Sequence, residues 1–151
     1  MLTIESLSKL GDYLDQEVAV SDWIDVSQEQ INQFARATGD DQWIHTDPKR
    51  AASESPFGTT IAHGFLTLSL LTELAKNALW IEGVRMGINY GLNRVRFIAP
   101  VRAGSRMRGR FSLGAVEDVK GGVQATWDVT VEVEGSKRPC CVVQWLVRYY
   151  Q

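Results

Sequence analysis

The segment Gly64–Trp80, GFLTLSLLTELAKNALW, places Phe65, Leu66, Leu68, Leu70, Leu71, Leu74, Ala75 and Leu79 on nearly every side of a helical wheel. A helix that apolar has to be buried, so the rest of the chain must wall it in. The sequence after Trp80 supplies the wall. There the apolar period switches to two, in Val123, Ala125, Trp127, Val129, Val131, Val133 and again in Cys141, Val143, Trp145, Val147, Tyr149, the pattern of half-buried antiparallel strands. Turn signals at Ala99-Pro100 with Gly104, at Lys120-Gly121-Gly122 and at Gly135-Ser136 separate the runs. With Met86–Tyr90, Val95–Ile98 and Arg106–Val116, about five strands follow one buried helix. The expectation is one α+β domain over residues 1–151, an antiparallel sheet packed on or curled round that helix.

Before Trp80 the pattern is helical. Ser27 followed by Gln30 is a capping box opening onto Ile31, Phe34 and Ala35, and Gly39 stops the run, which predicts a helix over 28–38. Asp47-Pro48 predicts a second, short helix through Ser53. The loop SPFGTTIAHG follows. No internal repeat, low-complexity tract or linker breaks the chain, and 151 residues suit a single core.

No apolar run approaches the roughly 18 residues of a spanning helix, and the opening MLTIESLSKLGDYL carries acidic residues before any apolar block. Neither a membrane span nor a secretory signal is expected. Cys140 and Cys141 are adjacent in a strand-like run, where neighbouring side chains face opposite ways and do not bridge. A reduced, cytoplasmic setting fits. The charge is uneven: Arg85, Arg94, Arg96, Arg102, Arg106, Arg108 and Arg110 fall in one stretch without an acidic residue, leaving nine basic against all eighteen acidic residues elsewhere. Such a cluster is a solvated strand face, an anionic-ligand site or a nucleic-acid surface. The acidic pI near 5.7 and the lack of any nucleic-acid-binding motif argue against the last.

The chemistry concentrates in FARATGDDQWIHTDP, residues 34–48. Gly39 ends a helix, and the loop beyond it gathers Asp40, Asp41, His45 and Asp47. A carboxylate and an imidazole on one loop can hold and deprotonate one water. Asp40 or Asp41 as turn residues and His45 as a satisfied loop histidine are the competing readings, and Asp47 is best read as a cap. Downstream, His63-Gly64 opens the apolar helix, where the Gly64 N–H stands at the positive end of the dipole as a donor for a carbonyl gaining charge. Gly64 serves equally as a close-packing residue. Ser69 and Thr72 follow on the same helix; back-bonding to the preceding turn is the expected fate of Ser69. Two histidines eighteen residues apart, without HExxH or CxxC, do not suggest a metal, and GxSxG is missing.

The run Phe34-Ala-Arg-Ala-Thr-Gly-Asp40-Asp-Gln-Trp-Ile-His45, then Ala51, then Ile61-Ala-His-Gly64, resembles the MaoC-like dehydratases, also called R-specific or type 2 enoyl-CoA hydratases. Asn93-Arg-Val-Arg-Phe-Ile-Ala-Pro-Val adds a third matching motif, and the nodulation-protein-N-like branch is the most similar. The resemblance implies a single hot-dog domain, a long central helix wrapped by the sheet, that reversibly hydrates trans-2-enoyl thioesters to (R)-3-hydroxyacyl thioesters. It implies Asp40 and His45 as the pair activating one water and the Gly64 N–H as the oxyanion donor. Thr72 falls where the family often has a serine supporting the carboxylate, with Ser69 and Gln42 as further supports. His63, Trp43, Arg94 and Arg96 are expected to contact substrate, the arginines through phosphates of coenzyme A or of a carrier protein's phosphopantetheine. No metal or other cofactor is implied. Gln42-Trp43 stands where the family usually has Asn-Pro, which bears on loop geometry and acyl width more than on water chemistry. A homodimer is expected from the resemblance and from the sheet edges such a domain would expose. A thioesterase and a non-catalytic acyl-thioester-binding protein on the same scaffold are the alternatives.

Overall fold

The computed structural model describes every residue from Met1 to Gln151. The chain opens with β1 (Leu2–Ile4), a 3₁₀ turn over Leu7–Tyr13, β2 (Glu17–Val20) and β3 (Ile24–Val26). Five helices follow: α1 (Gln28–Thr38), α2 (Trp43–Thr46), α3 (Pro48–Glu54), α4 (Gly64–Ser69) and α5 (Leu71–Ala78). Then come β4 (Leu79–Ile81), β5 (Met86–Phe97), β6 (Ser105–Val119), β7 (Gly122–Val133) and β8 (Cys141–Tyr150). The main sheet is antiparallel in the order β2-β6-β7-β8-β5, with β3 also pairing on β6. Its turns sit at the glycines read from the sequence, Gly104, Gly121 and Gly135, all at positive φ.

The alternation in β7 and β8 puts Ala125, Trp127, Val129 and Val131 beside Cys141, Val143, Trp145 and Val147 in one core with Phe111 of β6. Phe111 meets Trp127 edge to face at 6.4 Å. The helix lies on this face, Leu74 being fully buried. Gly109 of β6 permits the approach, because a Cβ there would stand 2.8 Å from the Phe111 ring and 3.4 Å from Leu74.

The sheet wraps the helix as expected, with differences in detail. The helix expected through Trp80 runs as α4 and α5 with a tightening at Leu70, where ψ reaches −6°, close to 3₁₀ geometry. Bonds from Leu70 N–H to Leu66 O and from Leu74 N–H to Leu70 O carry the axis across. It ends at Ala78, because Leu79 and Ile81 point inward and Trp80 outward as β4 pairs in parallel with β1. That strand alternation was hidden inside an apolar run. Nor is the helix covered all round: Leu66, Leu70, Leu71, Leu74 and Ala78 are buried, while Phe65, Ser69 and Thr72 face out. The short strands β2 and β3 replace the helical pattern expected before residue 27. Cys140 and Cys141 are both free and buried, and burial pushes their thiols up to about 12 and about 11. No helix is long and apolar enough to cross a membrane.

Candidate active site

Helix α1 begins on Ser27, whose Oγ accepts from Gln30 N–H, and ends where Gly39 takes φ +79° and donates its N–H to Ala35 O at 2.8 Å. Thr38 Oγ1 donates to Phe34 O at 2.8 Å and accepts from Asp40 N–H at 3.4 Å. Asp40 is thereby held just past the Gly39 cap, two residues beyond the last residue of α1. Helix α2 is one turn whose buried residue is His45. Asp47 Oδ1 then caps α3 by accepting from Arg50 N–H at 3.0 Å, as Asp-Pro foretold.

The loop leading to α4 closes the site from the other side. Ile61 N–H donates to Ile44 O, and the His45 ring places Nδ1 2.7 Å from Ile61 O. A carbonyl oxygen only accepts, so Nδ1 carries the proton and neutral His45 keeps a free lone pair on Nε2. The same logic applies to His63, whose Nε2 donates to Asp40 O at 2.8 Å. Its Nδ1 is buried without a partner. The two rings stack with centroids 3.9 Å apart at 25°, and Phe34 meets His63 at 5.0 Å, tilted by 53°.

The Asp40 carboxylate and the two imidazoles each present a ligand-type atom, all within 4.8 Å of one another. The near-parallel rings send their in-plane lone pairs side by side rather than toward one point. The arrangement suits a water held between carboxylate and imidazole better than a coordinated ion. Burial lowers the His45 pKa below its ordinary 6.5, and nearby His63 adds to this, while the Ile61 hydrogen bond and Asp40 pull the other way. Burial wins, so near neutral pH the ring is an acceptor at Nε2.

Gly64, the first residue of α4, has an N–H without an intrahelical acceptor. A Cβ on it would stand 3.0 Å from the Phe97 ring, so the close-packing reading of this glycine also holds.

The other expected site residues are spread more widely. Gln42 Nε2 lies 3.5 Å from Asp40 Oδ1 on the exposed side of the loop. Trp43 packs under the Arg50 guanidinium at 4.3 Å. Ser69 Oγ back-bonds to Phe65 O at 2.7 Å, and the polar partners of Asp40 are Thr38, Gln42 and His63. Thr72 and Ser69 are therefore not brought to the carboxylate; Thr72 faces a groove beside Leu68, Asn89, Leu92 and Trp145. His63 meets Asp40 backbone rather than open space.

The basic run divides in two. Arg106 pairs with Glu134 in the turn after β7, and Arg108 and Arg110 pair with Glu132 and Glu17 on the neighbouring strands β7 and β2. Arg94 and Arg96 form no ion pair and line a groove with Arg138, Asp128 and Gln144. The carbonyl of Ile61 and the side chains of Gln28 and Thr60, which hold His45 in place, had no motif to announce them.

The MaoC-like domain model matches residues 9–135. The 3-hydroxyacyl-thioester dehydratase Z of Mycobacterium tuberculosis (strain H37Rv) is 55% identical over 150 residues, covering 99% of each chain. Nodulation protein N of Rhizobium leguminosarum bv. viciae is 49% identical over 144 residues, covering 93% of this chain and 89% of that one. Among solved structures, the unliganded R-hydratase of Pseudomonas aeruginosa superposes with a TM-score of 0.70 at 21% identity, covering 91% of this chain and 83% of that one.

Proposed function

Because the chain belongs to the MaoC-like domain family, as a hydratase or dehydratase, we propose that it reversibly adds water to trans-2-enoyl thioesters to give (R)-3-hydroxyacyl thioesters. The observation that carries this reading is the approach of the Asp40 carboxylate to a His45 imidazole that burial keeps neutral and whose bond to Ile61 O leaves Nε2 free to accept. His45 Nε2 accepts one O–H of the water and orients it. As the water oxygen bonds to C3, Asp40 takes the other proton and returns it to C2, so the elements of one water are added on one face. Both side chains end as they began. Negative charge gathers meanwhile on the thioester oxygen, where the Gly64 N–H supplies a fixed donor.

The carrier is a coenzyme A or an acyl-carrier-protein thioester, with Arg94 and Arg96 facing its phosphates. The enzyme acts in the cytoplasm as a homodimer. What supports the dimer is β5, a sheet edge exposing Met86, Ile88, Tyr90, Leu92 and Phe97, next to exposed Phe65; a second β5 would pair its open backbone and cover that apolar surface.

The test is absorbance of the enoyl-thioester band on mixing the protein with crotonyl-CoA and a medium-chain trans-2-enoyl-CoA, thiol release being followed in parallel. Loss of the band without thiol is the expected result. Thiol release would instead make the protein a thioesterase, and binding without conversion a non-catalytic acyl-thioester protein.

A further inference from the structure

We propose that Gln28 is a positioning residue that fixes His45 for the reaction, an assignment that rests on the hydratase reading above. Gln28 is the first residue of α1, half-buried, and both N–H groups and the oxygen of its amide have partners. Nε2 donates to His45 O at 2.7 Å and to Asn32 Oδ1 at 3.0 Å, and Oε1 accepts from the Thr60 hydroxyl. The orientation of the amide is forced, since a backbone carbonyl needs a donor opposite it. Thr60, 1% exposed, directly precedes Ile61, whose carbonyl sets the His45 tautomer. A closed circuit results: His45 ring to Ile61, Ile61 to Thr60 along the chain, Thr60 to Gln28, and Gln28 back to the His45 main chain. One side chain thus fixes both the backbone that carries the imidazole and the segment that orients it.

The need for such a tie is plain. Helix α2 has four residues, and a single turn does not hold its own shape. Thr46 Oγ1 ties the turn to Asp41 O and Gln42 O on one side; Gln28 ties it to α1 and the Thr60 segment on the other.

Gln28→Glu keeps the shape and the acceptor toward Thr60 but sets an oxygen against His45 O. Thr60→Val keeps the shape and removes the hydroxyl. In both, kcat is expected to fall on the order of tenfold with KM within about twofold, the signature of a displaced catalytic group rather than lost binding. Nitrogen-15 spectra should show a pure Nδ1–H tautomer of the His45 ring in the parent protein and its loss in these variants. The double variant Gln28→Ala with Thr60→Val should fall no further than Gln28→Ala alone. Unchanged kcat and tautomer in a folded Gln28→Glu or Thr60→Val protein, or losses that multiply in the double variant, would overturn the proposal. Should Gln28→Glu not fold, Thr60→Val decides. A parent protein that hydrates no thioester sinks the hydratase reading alone, and the ring spectra still decide whether Gln28 fixes His45.

Discussion

His45 and His63 lie face to face, ring centroids 3.9 Å apart, each donating one N–H to a backbone carbonyl on the opposite loop. His45 grips Ile61, and His63 grips Asp40. The two loops are therefore laced together by the imidazoles themselves, and the carboxylate and the free Nε2 keep their spacing without any direct bond between them.

Asp40→Asn and His45→Gln should each lower turnover by roughly 10²- to 10⁴-fold, the usual worth of a positioned acid or base. Circular dichroism should show both proteins folded. Turnover near that of the parent in either variant removes the role given to that residue.

Acid should weaken the fold through His45. Its pKa in the folded chain lies below the ordinary 6.5, so as pH falls the unfolded chain takes the proton first. The stabilisation is complete above 6.5 and is lost as pH drops from there through the lower folded value. Melting temperature between about pH 7 and about pH 5 should fall more steeply in the parent than in His45→Gln. The proposed reaction uses the neutral ring, so the acid limb of turnover should have its midpoint below 6.5; parallel melting curves would refute the linkage.

His63→Ala should cost about 1–3 kcal/mol, because Asp40 O loses its buried donor. Turnover should drop with it as the Asp40 loop loosens. His63→Gln, which retains an N–H donor, should recover part of both in urea melts and rate assays, and no recovery would point to ring stacking as the larger contribution.

Gly64→Ala places a methyl against the Phe97 ring at 3.0 Å. Turnover should fall while Asp40 and His45 stay in place, and adding Phe97→Ala should restore it by making room. If the double variant stays as slow as Gly64→Ala, steric contact with Phe97 is not the cause.

Ile88→Glu with Leu92→Glu puts two charges on the open edge of β5, where both parent residues are exposed. Light scattering should give a dimer for the parent and a monomer for the variant. A monomeric parent ends the dimer reading.

The sequence announced the large features because they rest on repeated patterns. Period-two alternation in β7 and β8, the Ser27 and Asp47 caps and the turn glycines all reappear as drawn, since each has a local cause. The end of α5 did not, because Leu79 and Ile81 continue the apolar run and their strand state depends on β1, over seventy residues away. The closeness of Asp40 and His45 was legible from the loop that gathers them, and the structure brings the two side chains together. The grip of His63 on Asp40 O and the Gln28–Thr60 strut were not, since both bonds join segments distant in the chain and end on main-chain or uncharged groups. Thr72 illustrates the reverse: an expected partner of the carboxylate that lies on the exposed side of α5.

Cys140 and Cys141, buried and with thiols raised to about 12 and about 11, leave the folded protein without a reactive sulfur near neutral pH. The natural chain is therefore a silent background for maleimide chemistry. A dye attached to one introduced surface cysteine would label that position alone, and mixing donor- and acceptor-labelled protein would report subunit exchange by energy transfer without first stripping out the native cysteines.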